Sequence, residues 1–211
     1  MSMQRDPWSD DLTAGPSSRA ASRAKGSTTN TKQKKKKSPL ANVLEWVLIL
    51  AVAISVAFVV RTYLIGNFYI PSESMVPTLQ VGDKVLVNKM SYRLHDVRRG
   101  DIVVFEAPPG EATEQIQDLV KRVIGLPGDT IQGKQGDGVY INGKRLDEPY
   151  LPKGVTTKDF GPVTVPPGQL FMMGDNRFES KDSTFFGPIK EDSIVGRVFV
   201  LYWPFGHFQF F

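Results

Sequence analysis

The 211-residue sequence contains no cysteine and only two histidines. The first absence excludes disulfides, thiolate metal sites and cysteine nucleophiles. It does not fix the compartment, because exported domains can manage without disulfides. The second absence leaves little for a metal centre or a Ser-His-Asp triad. His95 and His207 sit in loop-like stretches with no carboxylate or second histidine at ligand spacing. A hydrolytic base in this chain would have to be something else. Large apolar residues are also scarce from residue 1 to about 40, a stretch rich in Ser, Thr, Gly, Ala and Lys. Such a segment cannot bury enough surface to offset chain entropy, so residues 1–42 read as a disordered basic tail.

Charge is unevenly spread. Residues 1–42 hold nine Lys/Arg and three Asp, a balance of +6. The remaining 169 residues hold 17 basic and 19 acidic side chains, a balance of −2. The basic character therefore belongs to the tail. A nucleic-acid partner is not expected, since the main domain would need its own basic face.

An apolar stretch follows, uncharged from Trp46 to Val60. With Val43 and Leu44 before it and Tyr63 to Ile65 after it, residues 43–65 reach the ~20 residues that span the hydrocarbon layer. Glu45 and Arg61 would lie near the two interfaces, and Trp46 suits an interfacial position. A buried core helix fits poorly, because every face is apolar. A cleaved leader fits poorly too, because some forty residues precede a long apolar run. The expectation is a single signal-anchor helix. The lysines at 32 and 34–37 would keep the N-terminal side in the cytoplasm and place the rest outside.

Residues 66–211 read as one mainly β domain, antiparallel and closed or folded over on itself. Short β-branched runs recur at 84–88, 101–106, 119–124, 139–142, 170–173 and 197–202. Turn signals separate them, among them Gly82-Asp83, Pro127-Gly128-Asp129 and Pro166-Pro167-Gly168. Asn142-Gly143 predicts a hairpin with a type I′ turn. No ten-residue segment of this part shows convincing helical periodicity.

Three segments could carry chemistry. Pro71-Ser72-Glu73-Ser74-Met75-Val76-Pro77-Thr78-Leu79 lies just past the apolar stretch. Alone, it could equally be a polar linker. Lys121 lies in the apolar run Val120-Lys121-Arg122-Val123-Ile124. It could be a solvated edge residue. If buried, it would tend to shed its proton, and a neutral lysine is a competent base for a serine hydroxyl. Met173-Gly174-Asp175-Asn176-Arg177-Phe178-Glu179-Ser180-Lys181-Asp182-Ser183 packs polar residues directly after an apolar strand, as site-bearing loops do.

Taken in order, Ser-x-Ser-Met-x-Pro-Thr-Leu, Gly-Asp-Ile-Val-Val-Phe at 100–105, Lys-Arg-Val-Ile-Gly-Leu-Pro-Gly-Asp and Gly-Asp-Asn-Arg-x-x-Ser-x-Asp-Ser resemble the boxes of bacterial type I signal peptidases. The resemblance covers most of residues 45–200. It implies a membrane-bound serine endopeptidase with a Ser-Lys dyad and a β-rich fold. Its action would be to remove N-terminal signal peptides from exported preproteins after small, Ala-x-Ala-like residues. By the same resemblance the nucleophile falls on Ser74 and the general base on Lys121. An oxyanion-hole hydroxyl falls on Ser72, with the Ser74 N–H as second donor. Ser180 falls where the lysine amine is held, and Arg122, Asp175 and Asp182 where ion pairs support the site. Thr184 departs from the pattern, since many relatives carry Arg or Lys there, so one ion pair to Asp182 is in doubt.

No metal or cofactor is implied. The expected partners are signal peptides of secreted preproteins, the lipid bilayer and a nearby export translocon. Phe68, Ile70, Met75, Leu79 and Val120 are candidates for shallow apolar pockets that bind substrate as an added β-strand. An alternative is a membrane-tethered β-domain binding module with an inactive, protease-like site. A self-cleaving or organellar serine–lysine relative is a further one. The aromatic-rich stretch 203–211 is expected either to seat the domain on the bilayer or to close its core as a last strand.

Overall fold

The computed structural model describes residues 39–211. All but the last four residues of the expected basic tail lie outside the described residues. Those four are helical, so the helix takes in more than the expected 43–65 on its N-terminal side. Helix α1 spans Pro39–Val59 and continues as a π-helical turn, Val60–Leu64. Proline is tolerated in a helix's first turn, where its missing N–H costs little. Residues Asn42–Leu64 are long and apolar enough to cross a membrane, and none of their most apolar window is buried by the protein. One polar group in the span, the Ser55 hydroxyl, donates to the Ala51 carbonyl at 2.8 Å, satisfying itself within the helix. At Ile65 the backbone becomes extended.

Strand β1 (Ile65–Tyr69) follows directly, then β2 (Lys84–Asn88), the short helix α2 (Ser91–Leu94), β3 (Ile102–Glu106) and β4 (Asp118–Gly125). Next come β5 (Thr130–Lys134), β6 (Gly138–Ile141), β7 (Lys144–Arg145), β8 (Phe160–Thr164) and β9 (Gln169–Met173). The chain closes with α3 (Ser183–Phe186), β10 (Ile189–Lys190), β11 (Ile194–Trp203) and β12 (Gln209–Phe210). Every strand pair is antiparallel, as expected. The larger sheet runs β1-β2-β11-β3-β4-β9-β10, with β12 on β11, and the smaller runs β7-β6-β5-β8.

Side-chain alternation explains the apolar runs. On β3, Ile102 and Val104 enter one core cluster while Val103 and Phe105 enter a second. On β9, Leu170 and Met172 enter that second cluster while Phe171 and Met173 enter a third. Both strands are buried on two faces, which is why they read as continuous runs rather than alternating ones. The Asn142-Gly143 hairpin forms as expected, with positive φ at both residues.

Several strands carry no clear signal in the sequence. β8 contains Gly161 and Pro162 and is legible only as an edge strand, the place where it lies. β5 contains Gly133, whose missing side chain makes room for the Phe160 ring. His207 finds a partner that its neighbours in sequence do not reveal. Its Nδ1 lies 3.2 Å from Asp83 Oδ1, 124 residues away.

The last stretch divides between core and surface. Phe211 packs against the first core cluster, and its N–H donates to the Phe199 carbonyl. Phe205 and Phe210 remain 76% and 69% exposed. Phe211→Ala should therefore lower stability by about 1–3 kcal/mol in a melt. The double change Phe205→Ala/Phe210→Ala should leave the melting temperature in place and weaken liposome binding of the chain without its apolar helix. Undiminished liposome binding would remove the membrane role of these rings.

Candidate active site

The segment after β1 is held by apolar pins. Ile70, Met75 and Leu79 all enter the first core cluster. Between them Glu73–Met75 forms a single 3-10 turn. The Ser74 carbonyl accepts from the Asn176 N–H at 3.1 Å, tying the turn to the loop after β9. Ser74 is thus fixed from below by core packing and from the side by a backbone bond, with 9% of its surface exposed.

Lys121 reaches the same point from β4. The first edge of this strand pairs with β3 from Asp118 to Arg122. Its second edge is covered by β9 only from Arg122 to Gly125. Lys121 is the last residue before that cover begins. Its amine donates to Ser74 Oγ at 2.6 Å, and the side chain is only 3% exposed. Burial pushes its pKa down to about 8 from an ordinary 10.5, against the opposing pull of Asp182 and Asp175. The solvated-edge reading of Lys121 is therefore set aside. Ser72 is exposed at the rim, its Oγ 3.3 Å from Ser74 Oγ.

Behind these groups lies a set of buried charges. Arg122 Nε and one terminal amine clasp both oxygens of Asp175 at 2.8 and 2.6 Å, its other amine donates to the Gly100 carbonyl at 2.8 Å, and Thr78 Oγ1 also donates to Asp175. Arg177 grips Glu148 with two amines at 2.9 and 2.6 Å, and its Nε donates to the Gly174 carbonyl. Asp182 differs from expectation. Among the described residues it forms no ion pair, and it accepts from Gly174 N–H, Thr184 N–H and the Thr184 hydroxyl. Threonine at 184 thus replaces the expected cation with neutral donors. Ser180 also differs. Its Oγ is buried with no hydrogen-bond partner, so it does not grip the lysine amine here. It lies instead beside Gly174, where a Cβ would collide with both Ser180 Oγ and the Ser74 carbonyl.

A groove of about 560 Å³ opens onto Ser74 and Lys121. Phe68, Ile70, Met75 and Val120 line it, as expected. Leu79 does not. It is fully buried in the first core cluster, because the chain turns inward after Pro77. Phe68 and Tyr69 of β1 and residues Asp118 to Lys121 of β4, the part that β9 leaves uncovered, line the groove. Among the described residues no three His, Asp or Glu side chains gather as a metal site. Glu148, Tyr150 and Thr78 were not singled out as functional by their local sequence. Thr78 at least sits inside a box, whereas the other two stand in a loop with no neighbouring signal.

The family sequence profile described as "Signal peptidase, peptidase S26" matches residues 43–203. The chain belongs to this family. Among curated members, a signal peptidase I of Bacillus caldolyticus is 45% identical, over 75% of this chain and 91% of that protein. A probable signal peptidase I-2 of Synechocystis sp. is 43% identical, over 81% and 78%. A signal peptidase IB of Staphylococcus aureus is 39% identical, over 79% and 93%. As a member of the S26 peptidases, the chain is a hydrolase.

Gly174 offers a direct check on how tightly the site is built. Gly174→Ala should push the Ser74 backbone out of place and reduce peptidase turnover by about 100-fold, as ångström-scale misplacement does. The fold should survive, as read by circular dichroism. Full turnover in this variant would show that the Ser74 turn is not held from behind by the glycine loop.

Proposed function

We propose that this chain removes N-terminal signal peptides from exported preproteins at small-residue, Ala-x-Ala-like sites, with Ser74 as nucleophile and Lys121 as general base. One observation carries the reading: a lysine amine, stripped of water, 2.6 Å from a serine hydroxyl at the floor of an open groove. Neutral Lys121 takes the proton of Ser74 as its Oγ attacks the scissile carbonyl. The resulting ammonium then protonates the leaving amine. Water, activated by the same lysine, hydrolyses the acyl-enzyme.

Ser72 and the Ser74 N–H are the donors for the oxyanion. The Ser72 hydroxyl is beside Ser74 Oγ, and the Ser74 N–H lies in the first turn of a short 3-10 segment, where backbone donors lack partners in the turn itself. Ser180 and Asp182 shape the loop that carries Asp175, rather than gripping the amine. Substrate lies extended between the free edges of β1 and β4 and pairs as an added strand. Phe68, Ile70, Met75 and Val120 supply its pockets.

Helix α1 anchors the enzyme, with residues 1–42 in the cytoplasm and 66–211 outside. Ser74 follows Ile65 by nine residues, so it stays near the outer membrane face, where preproteins leave the export translocon.

Incubating a purified preprotein with the enzyme tests the assignment. Ser74→Ala and Lys121→Ala should each abolish cleavage while retaining the fold. Ser72→Ala should slow turnover by roughly 10²–10³ with binding little changed. Near-native turnover in either dyad variant would overturn the mechanism, whereas no cleavage by the wild-type chain would favour the reading as an inactive binding module.

The pH profile supplies a second test. The base works only when neutral, so activity should rise with pH and level off above the Lys121 value of about 8. Below it, kcat/KM should fall about tenfold per pH unit. A profile flat from pH 6 to 9 would exclude Lys121 as the base.

A further inference from the structure

One side chain outside the four sequence boxes touches the charged pair behind the dyad. The centre of the Tyr150 ring lies 3.8 Å from Arg122 Cζ, within cation–π range. The tyrosine is itself fixed. Its hydroxyl donates to Glu148 Oε1 at 2.6 Å, and Glu148 is held by two Arg177 amines. The ring also packs against the third core cluster. Arg122 is therefore clamped between an aromatic face and the Asp175 carboxylate.

A hollow of about 240 Å³ approaches the same pair from outside, lined by Pro77, Thr78, Arg122, Tyr150, Gln209 and Phe211. Tyr150 is one wall of it. Removing the ring would widen this opening and let water reach Arg122, leaving it held by Asp175 and by the Gly100 carbonyl, which accepts from its Nη1 at 2.8 Å.

That matters because Asp175 serves two cations besides Arg177, whose charge it also favours. One is Arg122, which holds both its oxygens. The other is the Lys121 ammonium, which Asp175 and Asp182 both favour over the neutral amine. With Arg122 in place, much of the Asp175 charge is neutralised locally. With Arg122 loosened, that charge acts on Lys121.

We propose that Tyr150 is a positioning residue for the cleavage reaction: it keeps Arg122 seated on Asp175, so that Asp175 does not hold Lys121 in its protonated form. The inference rests on Lys121 being the base, as proposed above. The charged groups around Lys121 are Asp175 and Asp182 on the loop after β9, Arg122 on its own strand, Asp118 and Glu114 along the groove, and Glu73 beside Ser74. Of these, the Arg122–Asp175 pair is the one Tyr150 touches.

The test is the pH dependence of kcat/KM for preprotein cleavage by the full chain. In Tyr150→Leu the acid limb should move to higher pH by about half a unit to one unit. At pH 7 that is a roughly 3- to 10-fold loss, which vanishes on the alkaline plateau. Tyr150→Phe keeps the ring and should keep the wild-type limb. Tyr150→Met keeps the bulk without the π face and should behave as Leu does, so it carries the test if the Leu variant folds poorly. Unmoved limbs in both Leu and Met variants, or an equal loss at every pH, would overturn the proposal and leave Tyr150 as packing alone. Lys121→Ala is assayed alongside. If it still cleaves, the base assignment fails; if it is inert while the limbs stay fixed, only the role of Tyr150 falls.

Discussion

The removal of one amine from water is the constraint around which this structure is arranged. Lowering Lys121 from 10.5 to about 8 corresponds to about 3 kcal/mol of stability forgone at neutral pH. Because the folded value is the depressed one, the penalty is full below about pH 8. It shrinks as pH climbs towards that of a free lysine. The domain carries this cost through apolar burial on both sides of β3 and β9 and around the Ser74 segment. Burial contributes roughly 1.5–3 kcal/mol per large side chain, so a few well-packed residues offset it.

The charges near that amine are handled in different ways, and the differences have physical sense. Asp175 and Glu148 are each held by an arginine through two bonds. A buried ion pair of this sort adds little net stability, but losing one partner is severe. Its contribution is placement: these pairs fix the loop that carries Gly174 against the back of Ser74. Asp182 is satisfied by backbone and hydroxyl donors instead. Its charge therefore stays closer to full strength, and it is the larger of the two carboxylate influences on Lys121. Burial outweighs both, which is why the amine value lies below that of a free lysine.

Much of this was legible in the sequence, for reasons that vary by residue. β2 was read to the residue because Lys84–Asn88 is β-branched and bounded by a Gly-Asp turn. The Asn142-Gly143 hairpin was legible because few dipeptides accept two positive φ values. Ser74, Met75 and Lys121 stand inside the boxes, and Phe68, Ile70 and Val120 stand just before them. Leu79 was misplaced because a box does not say which of its apolar residues faces inward. Ser180 lacks its expected partner, and the Asp182 pairing changed because Thr184 substitutes hydroxyl for cation. Glu148 and Tyr150 could not be found locally. Their roles exist only because a loop of the small sheet returns to touch Arg122 and Arg177, and no spacing rule encodes a return of that length.

The uncovered edge of β4 has a consequence beyond substrate. A strand edge with free N–H and C=O groups beside an apolar trough is an open template for any extended chain, including another copy of the same protein. Here Asp118 stands directly opposite Glu106 across the β3–β4 pair, and Glu114 lines the same groove. Like charges at that spacing weaken the sheet slightly. They also surround the end of the template with negative charge, which two such edges would have to bring together in order to pair. A short, uncharged segment meets no such repulsion, whereas a second enzyme does. The same pair of carboxylates therefore makes the β4 edge less welcoming to another acidic edge than to a neutral strand.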